Sequence, residues 1–181
     1  EDVFALGSNR IPFKEEIMRS GKMESATMTG FLPVSGTWRS DNPWWIEGRD
    51  PAIQENMVSI QNWRVDYDYI KTMGMNIKEG RAFSLDFPSD SSAVILNEAA
   101  VKRFNFPGDV LGSRISSFGD DQNGGPDKNN LISLTVVGII EDFHFESLKQ
   151  SVAPLMMELS KRNEGPVSFR FQSQNAQEVI Q

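Results

Sequence analysis

V-D-Y-D-Y-I-K-T-M-G-M (Val65 to Met75), E-G-R-A-F (Glu79 to Phe83), V-I-L-N-E-A-A-V-K-R-F (Val94 to Phe104), D-V-L-G (Asp109 to Gly112) and V-V-G-I-I-E-D-F-H-F-E-S-L (Val136 to Leu148) follow one another in this order. The first string has the grammar of a short helix. Asp66 stands as its N-cap, Tyr69, Ile70 and Met73 share one face, and Gly74 supplies a left-handed C-terminal cap. In the third string the apolar run Ala93 to Leu96 reads as a buried strand that runs into Asn97. That residue caps a second helix, whose Ala100, Val101 and Phe104 face inward. Leu131 to Ile140 is largely apolar over its whole length, which predicts a strand central to its sheet.

Working outward, Pro12 to Arg19 reads as a helix, with Pro in the first turn, Glu15 and Glu16 early and Gly21 just past the end. Val3 to Leu6 is a short strand candidate, and Glu24 to Val34 has the composition of an extended segment. Ser35 to Asp50 is turn-rich. Met57 to Val65 predicts a strand, Met75 to Phe83 a strand or loop with a turn at Gly80, and Ser113 to Phe118 a strand after a turn at Gly112. Gly119 to Asn130, rich in Gly, Asn, Asp and Pro, reads as the mobile tip of a hairpin between two strands. Leu155 to Leu159 and Val167 to Phe171 are further strands, and the terminal Q-N-A-Q-E-V-I-Q reads as the first turns of a helix. Strands and short helices in irregular order give an α+β fold of mixed sheets. Phe104, Val137 and Ile139 are expected inside, and Asp120 to Lys128 mobile.

Composition narrows the function. With 181 residues, 39% of them hydrophobic, the chain has enough apolar surface for a real core. A net charge of −7 with no Lys/Arg cluster argues against a nucleic-acid surface. The absence of cysteine excludes thiol catalysis, disulfides and thiolate metal sites. No stretch approaches the roughly 18 apolar residues of a membrane span. The chain opens at Glu1, without Met or a signal segment, and so reads as a piece excised from a longer protein.

Together the five strings resemble the extracytoplasmic core domain of MacB-like, FtsX-type ABC transporter permeases, over Val65 to Leu148 in detail and over the first 60 or so residues in outline. The resemblance implies a two-lobed fold, with a porter-like lobe and a strand-rich lobe. It implies that residues 1 to 181 form one periplasmic domain of an inner-membrane protein, projecting between transmembrane helices 1 and 2. The implied role is non-catalytic: to relay motion from a cytoplasmic ATP-binding domain in mechanotransmission, efflux or other transmembrane transport. The implied partners are a second permease copy, that ATP-binding domain and a periplasmic partner protein, with membrane contact through flanking helices. The same resemblance makes Asp142, His144 and Ser147 strand-end and helix-cap groups, and Phe143 and Phe145 core anchors. A free-standing periplasmic ligand-binding or interaction protein is the alternative.

The candidate chemistry is sparse. His144 is the only histidine, which leaves no multi-histidine metal site and no nucleophile–histidine pair apart from coincidence. The carboxylate pairs Asp66/Asp68 and Asp120/Asp121 have the type needed for acid/base work or Ca²⁺ binding, yet D-D-Q-N-G-G-P-D lacks the calcium-loop pattern. There is no phosphate-binding loop and no G-x-S-x-G elbow. Catalytic residues, metal ligands and cofactors are therefore all expected to be none. Trp44 and Trp45, beside Pro43, are either core residues or anchors for a partner.

Overall fold

A computed structural model describes residues 10–32, 41–120, 125–143, 151–160 and 165–171. The strand that organises it is β5, Ala93–Asn97, buried at every residue. Its A-V-I-L-N sequence sends Val94 and Leu96 to one face of the sheet and Ala93 and Ile95 to the other, and both faces are covered. Strand β5 pairs parallel with β7 (Pro126–Ile140) and antiparallel with β8 (Leu155–Leu159). Strand β8 runs parallel to β3 (Val58–Val65), which pairs with β2 (Asp41–Ile46). Strand β2 passes to β6 (Arg114–Asp120), and β6 returns to β7. These pairings close a circuit of six strands, and β4 (Ile77–Gly80) adds to β7.

Two apolar clusters fill the body. One joins Trp44, Ile60, Val94, Leu96, Ile115 and Met156 to Ala100 and Phe104 of α3, Glu98–Phe104. The other gathers Trp63, Val65, Ile95, Ile140 and Met157 beneath Tyr69 and Ile70 of α2, Tyr69–Met73. A bulge in the β5–β7 register skips Val137, so that Val136 belongs to the first cluster and Ile140 to the second.

A smaller lobe stands apart from this body. Strands β1 (Ser25–Met28) and β9 (Val167–Arg170) form a two-stranded antiparallel sheet. Its apolar face, Ala26, Met28, Val167 and Phe169, packs against Phe13, Ile17 and Met18 of α1, Arg10–Arg19. The fold is thus α+β with mixed sheets and two unequal lobes.

Most expected elements are present, with three corrections. The turn-rich stretch contains β2, with Pro43 inside it. Residues 41–44 pair with β3 and 45–46 with β6, so Pro43, which lacks an N–H, has a ladder on one side only. The hairpin strands extend through Asp120 and resume at Pro126, so Pro126 to Lys128 are strand where a loop tip is expected, and residues 121–124 lie outside the described residues. A register shift after Phe118 absorbs the extra residues, and the Asp127 carboxylate accepts the N–H of Asn129 at 2.9 Å. Phe104 and Ile139 are buried, but Val137, the bulge residue, is only half-buried. The expected strand at Val3 to Leu6 and the C-terminal helix lie outside the described residues.

Candidate functional site: the seam between the lobes

Alternation along S-A-T-M (25–28) and V-S-F-R (167–170) gives the small sheet a second, polar face. Ser25 lies opposite Arg170 and Thr27 opposite Ser168. This face meets the end of β3 and α2, and the group that receives it is Asp66, 8% exposed. Its carboxylate accepts the Thr27 hydroxyl at 2.5 Å, the Met28 N–H at 2.8 Å and the Lys14 ammonium at 2.9 Å. Lys14 also reaches Asp68 at 2.8 Å, so one cation of α1 ties together two carboxylates of the body. Partial burial acts to lower the pKa of this ammonium, but its hydrogen bonds to Asp68 and Asp66 outweigh that and hold it above the ordinary lysine value.

Asp66 was expected to cap α2, and the structure assigns the carboxylate elsewhere. Asp68 occupies the N-cap position with helical instead of extended backbone and makes no side-chain capping bond, and one of its oxygens accepts from Lys14. The expected left-handed cap at Gly74 is present, at φ 68°.

The rest of the seam is polar too. Arg170 Nε donates to the Thr72 carbonyl at 2.9 Å, and Thr29 Oγ1 donates to that of Arg64 at 3.0 Å. Among the described residues, the buried hydroxyls of Ser25, Ser168 and Thr72 have no hydrogen-bond partner. An unpaired buried polar group costs about 1–3 kcal/mol, so the closed seam is far from an optimal interface. Lys14, Thr27, Thr72 and Arg170 were not singled out from the sequence. The signal present was the hydroxyl at every second position of S-A-T-M-T.

Two side-chain hubs hold the body rigid. Asp90, fully buried, receives both terminal nitrogens of Arg81 at 2.6 and 2.8 Å and the Ser84 N–H at 2.9 Å. The Arg81 guanidinium also lies 3.9 Å from the centre of the Phe87 ring. This is the structural content of E-G-R-A-F. Asn97 caps α3 as expected, accepting the Ala100 N–H at 2.9 Å, and also takes the Leu155 N–H and donates to the Ala153 carbonyl, so it joins β5, α3 and β8.

Trp44 and Trp45 are each 3% exposed, so neither presents a free anchor. Trp44 lies in the first cluster, and Trp45 packs 4.8 Å from Phe118 at the floor of a groove of about 630 Å³ bordered by Glu47, Arg49 and Leu131. Phe143 meets the Trp63 ring at 5.8 Å, as a core anchor, and Asp142 accepts the Ala99 N–H at 3.0 Å. His144, Phe145, Ser147 and Asp121 lie outside the described residues. No group of three or more His, Cys, Asp or Glu suited to a metal ion occurs among the described residues, and none of their helices is long and apolar enough to cross a membrane.

No family model matches the chain, and no curated protein sequence does. Solved structures do match. The periplasmic region of MacB from Actinobacillus actinomycetemcomitans aligns with 98% of this chain and 78% of its own at 12% identity, with a TM-score of 0.59. This chain has the fold of the MacB periplasmic region. The extracellular domain of the noncanonic ABC-type transporter YknZ from Gram-positive bacteria gives the same TM-score, 0.59, at 11% identity, with 97% of this chain and 86% of its own covered. A domain assigned to a permease from Porphyromonas gingivalis aligns with 84% of this chain and 63% of its own at 14% identity, TM-score 0.51. In the MacB-like fold met here, the seam joins the lobe that holds both the first and the last described strands to the closed strand circuit.

Proposed function

We propose that this chain is a non-catalytic extracytoplasmic domain of an ABC transporter permease, on the periplasmic side of an inner membrane, that couples cytoplasmic ATP hydrolysis to conformational change outside the cell or to export. One observation carries this reading: Ser25, the first residue of β1, pairs with Arg170, the last of β9. The first and last described strands are thus paired in one small lobe, which α1 joins at its start through Arg10 donating to the Gly165 carbonyl, so membrane helices on either side would pull on the same lobe. Force would then pass through the seam into a body whose packing and buried hubs transmit displacement. The carboxylate pair that offered acid/base chemistry, Asp66/Asp68, is committed to Lys14, Thr27 and backbone, which supports a structural use. A second permease copy and a cytoplasmic ATP-binding domain are the partners this role requires.

The second reading, a free periplasmic ligand-binding protein, draws on the groove over Trp45, whose volume lies in the range of small-molecule sites. Reading the gene on either side of this region and fractionating cells that express it separate the two. A permease has an apolar span of about 20 residues just before Glu1 and three more after Gln181, and its domain stays in the membrane fraction, cleavable by protease from the periplasmic side. A cleavable signal peptide, an early stop and release on osmotic shock would contradict the permease reading.

A further inference from the structure

Both covalent links between the lobes pass through glycine at one crossing. Gly30 follows β1 on its way to Phe31, which is anchored on the body by its stack against Trp63 and by the Tyr69 hydroxyl donating to its carbonyl. Gly165, at φ 115°, precedes β9, and a Cβ there would stand 2.4 Å from the Thr29 carbonyl carbon and 2.5 Å from the Gly30 nitrogen. At Gly165 only glycine permits the two connectors to cross this closely, whereas a Cβ on Gly30 would meet nothing within 4 Å. Thr29 N–H donates to the Pro166 carbonyl at the same place.

From this crossing β1 and β9 run side by side, so Ser25 and Arg170 are the points of the small sheet farthest from it. Between the two ends lie the unpartnered hydroxyls of Ser25, Ser168 and Thr72 and the Lys14–Asp66–Asp68 cluster. The small lobe keeps its apolar face for α1, so little apolar surface glues it to α2. Such an interface separates without tearing either core.

We propose that the small lobe swings on a Gly30–Gly165 hinge, opening the hydroxyl seam over α2, and that Lys14 bridging Asp66 and Asp68 is the latch that holds it shut. This rests on the mechanical reading above and adds its moving part. A pull on the chain that leaves β9 acts at Arg170, the far end of the lever, while α1 is tied beside the hinge by Arg10 donating to the Gly165 carbonyl. Water entering the open seam satisfies the three hydroxyls, which offsets part of the latch's hold.

The chain has no cysteine, so a single introduced thiol reports opening. Ser25→Cys places it at the far end of the seam, Ser168→Cys provides a second reporter should the first variant fold poorly, and Val94→Cys is the body control; all three positions are buried. In the isolated 181-residue chain without denaturant, the seam thiol reacts with a thiol reagent at least about tenfold faster than the control, because local opening precedes global unfolding. Lys14→Met then speeds the seam thiol severalfold and leaves the control unchanged. Equal rates at seam and body, or an equal acceleration of both by Lys14→Met, would overturn the joint. The assay uses neither membrane nor nucleotide. A seam that opens in a chain that proves not to be part of a permease, or a permease domain whose seam stays shut, are therefore separate results.

Discussion

Arg81 and Asp90 form a two-pronged ion pair whose acidic partner has no accessible surface at all. Arg81 keeps about a third of its side chain in solvent (32%), whereas Asp90 depends wholly on its partners. Asp90→Asn should therefore lower the unfolding free energy by about 3 kcal/mol, the lower end of what breaking a buried pair costs. Urea denaturation of the two proteins measures this, and a loss below about 1 kcal/mol, the range of exposed pairs, would contradict the clamp.

The same pair sets an acid limit, and Lys14 an alkaline one. Burial acts to raise the Asp90 carboxyl, but the Arg81 hydrogen bonds and the Ser84 N–H overcome it and leave the carboxyl below its ordinary range. A depressed carboxyl contributes stability that is complete above the unfolded value of about 3.9 and is lost as pH falls through the folded one. Lys14, held above the ordinary value, contributes stability that is complete below about 10.4 and is lost as pH rises through its folded value. Urea midpoints plotted against pH should lose part of the acid slope in Asp90→Asn and part of the alkaline slope in Lys14→Met. An unchanged slope in either variant would count against that group's role.

Gly74→Ala tests the C-terminal end of α2. The φ of 68° is costly for alanine, and the new Cβ would stand 2.2 Å from an Arg170 terminal nitrogen. The expected loss is about 1–3 kcal/mol, with faster amide exchange in β9 than in β5. A shift confined to α2 would mean that Arg170 is not a tie across the seam.

Asn97→Ala removes the cap of α3 and leaves the buried Leu155 N–H without its acceptor. About 2–3 kcal/mol should be lost, more than a surface cap costs. Asn97→Asp keeps both acceptor bonds but buries a charge and turns an oxygen toward the Ala153 carbonyl, so it should recover only part of that loss. If the two variants unfold alike, the cap and the β8 bond are not what Asn97 provides.

Asn97 also shows where the sequence was sufficient. An apolar run ending in Asn and followed by E-A-A needs only neighbours within three residues to be read, and the strand, cap and helix all lie where it places them. The left-handed Gly74 is legible for the same reason. Asp66 was not. Locally it has the grammar of a cap, but its partners Lys14, Thr27 and Met28 lie 52, 39 and 38 residues away, and tertiary hydrogen bonds outcompeted the local one. Strand β2 was hidden by Pro43, whose missing N–H is tolerated because residues 41–44 pair on one side only. The Gly30–Gly165 crossing was hidden too, since two glycines far apart in sequence reveal nothing until the chain brings them together.

On the proposed reading, motion of this domain within a full-length permease is the decisive quantity. With spin labels at Glu16→Cys in α1 and Lys102→Cys in α3, both exposed positions, pulsed electron resonance reads the distance from small lobe to body, and a Glu55→Cys/Lys102→Cys pair monitors the body alone. A mechanical domain shifts the first distance distribution between nucleotide-free and ATP-trapped states and leaves the second unchanged. Two distributions that are both indifferent to nucleotide would contradict the coupling role.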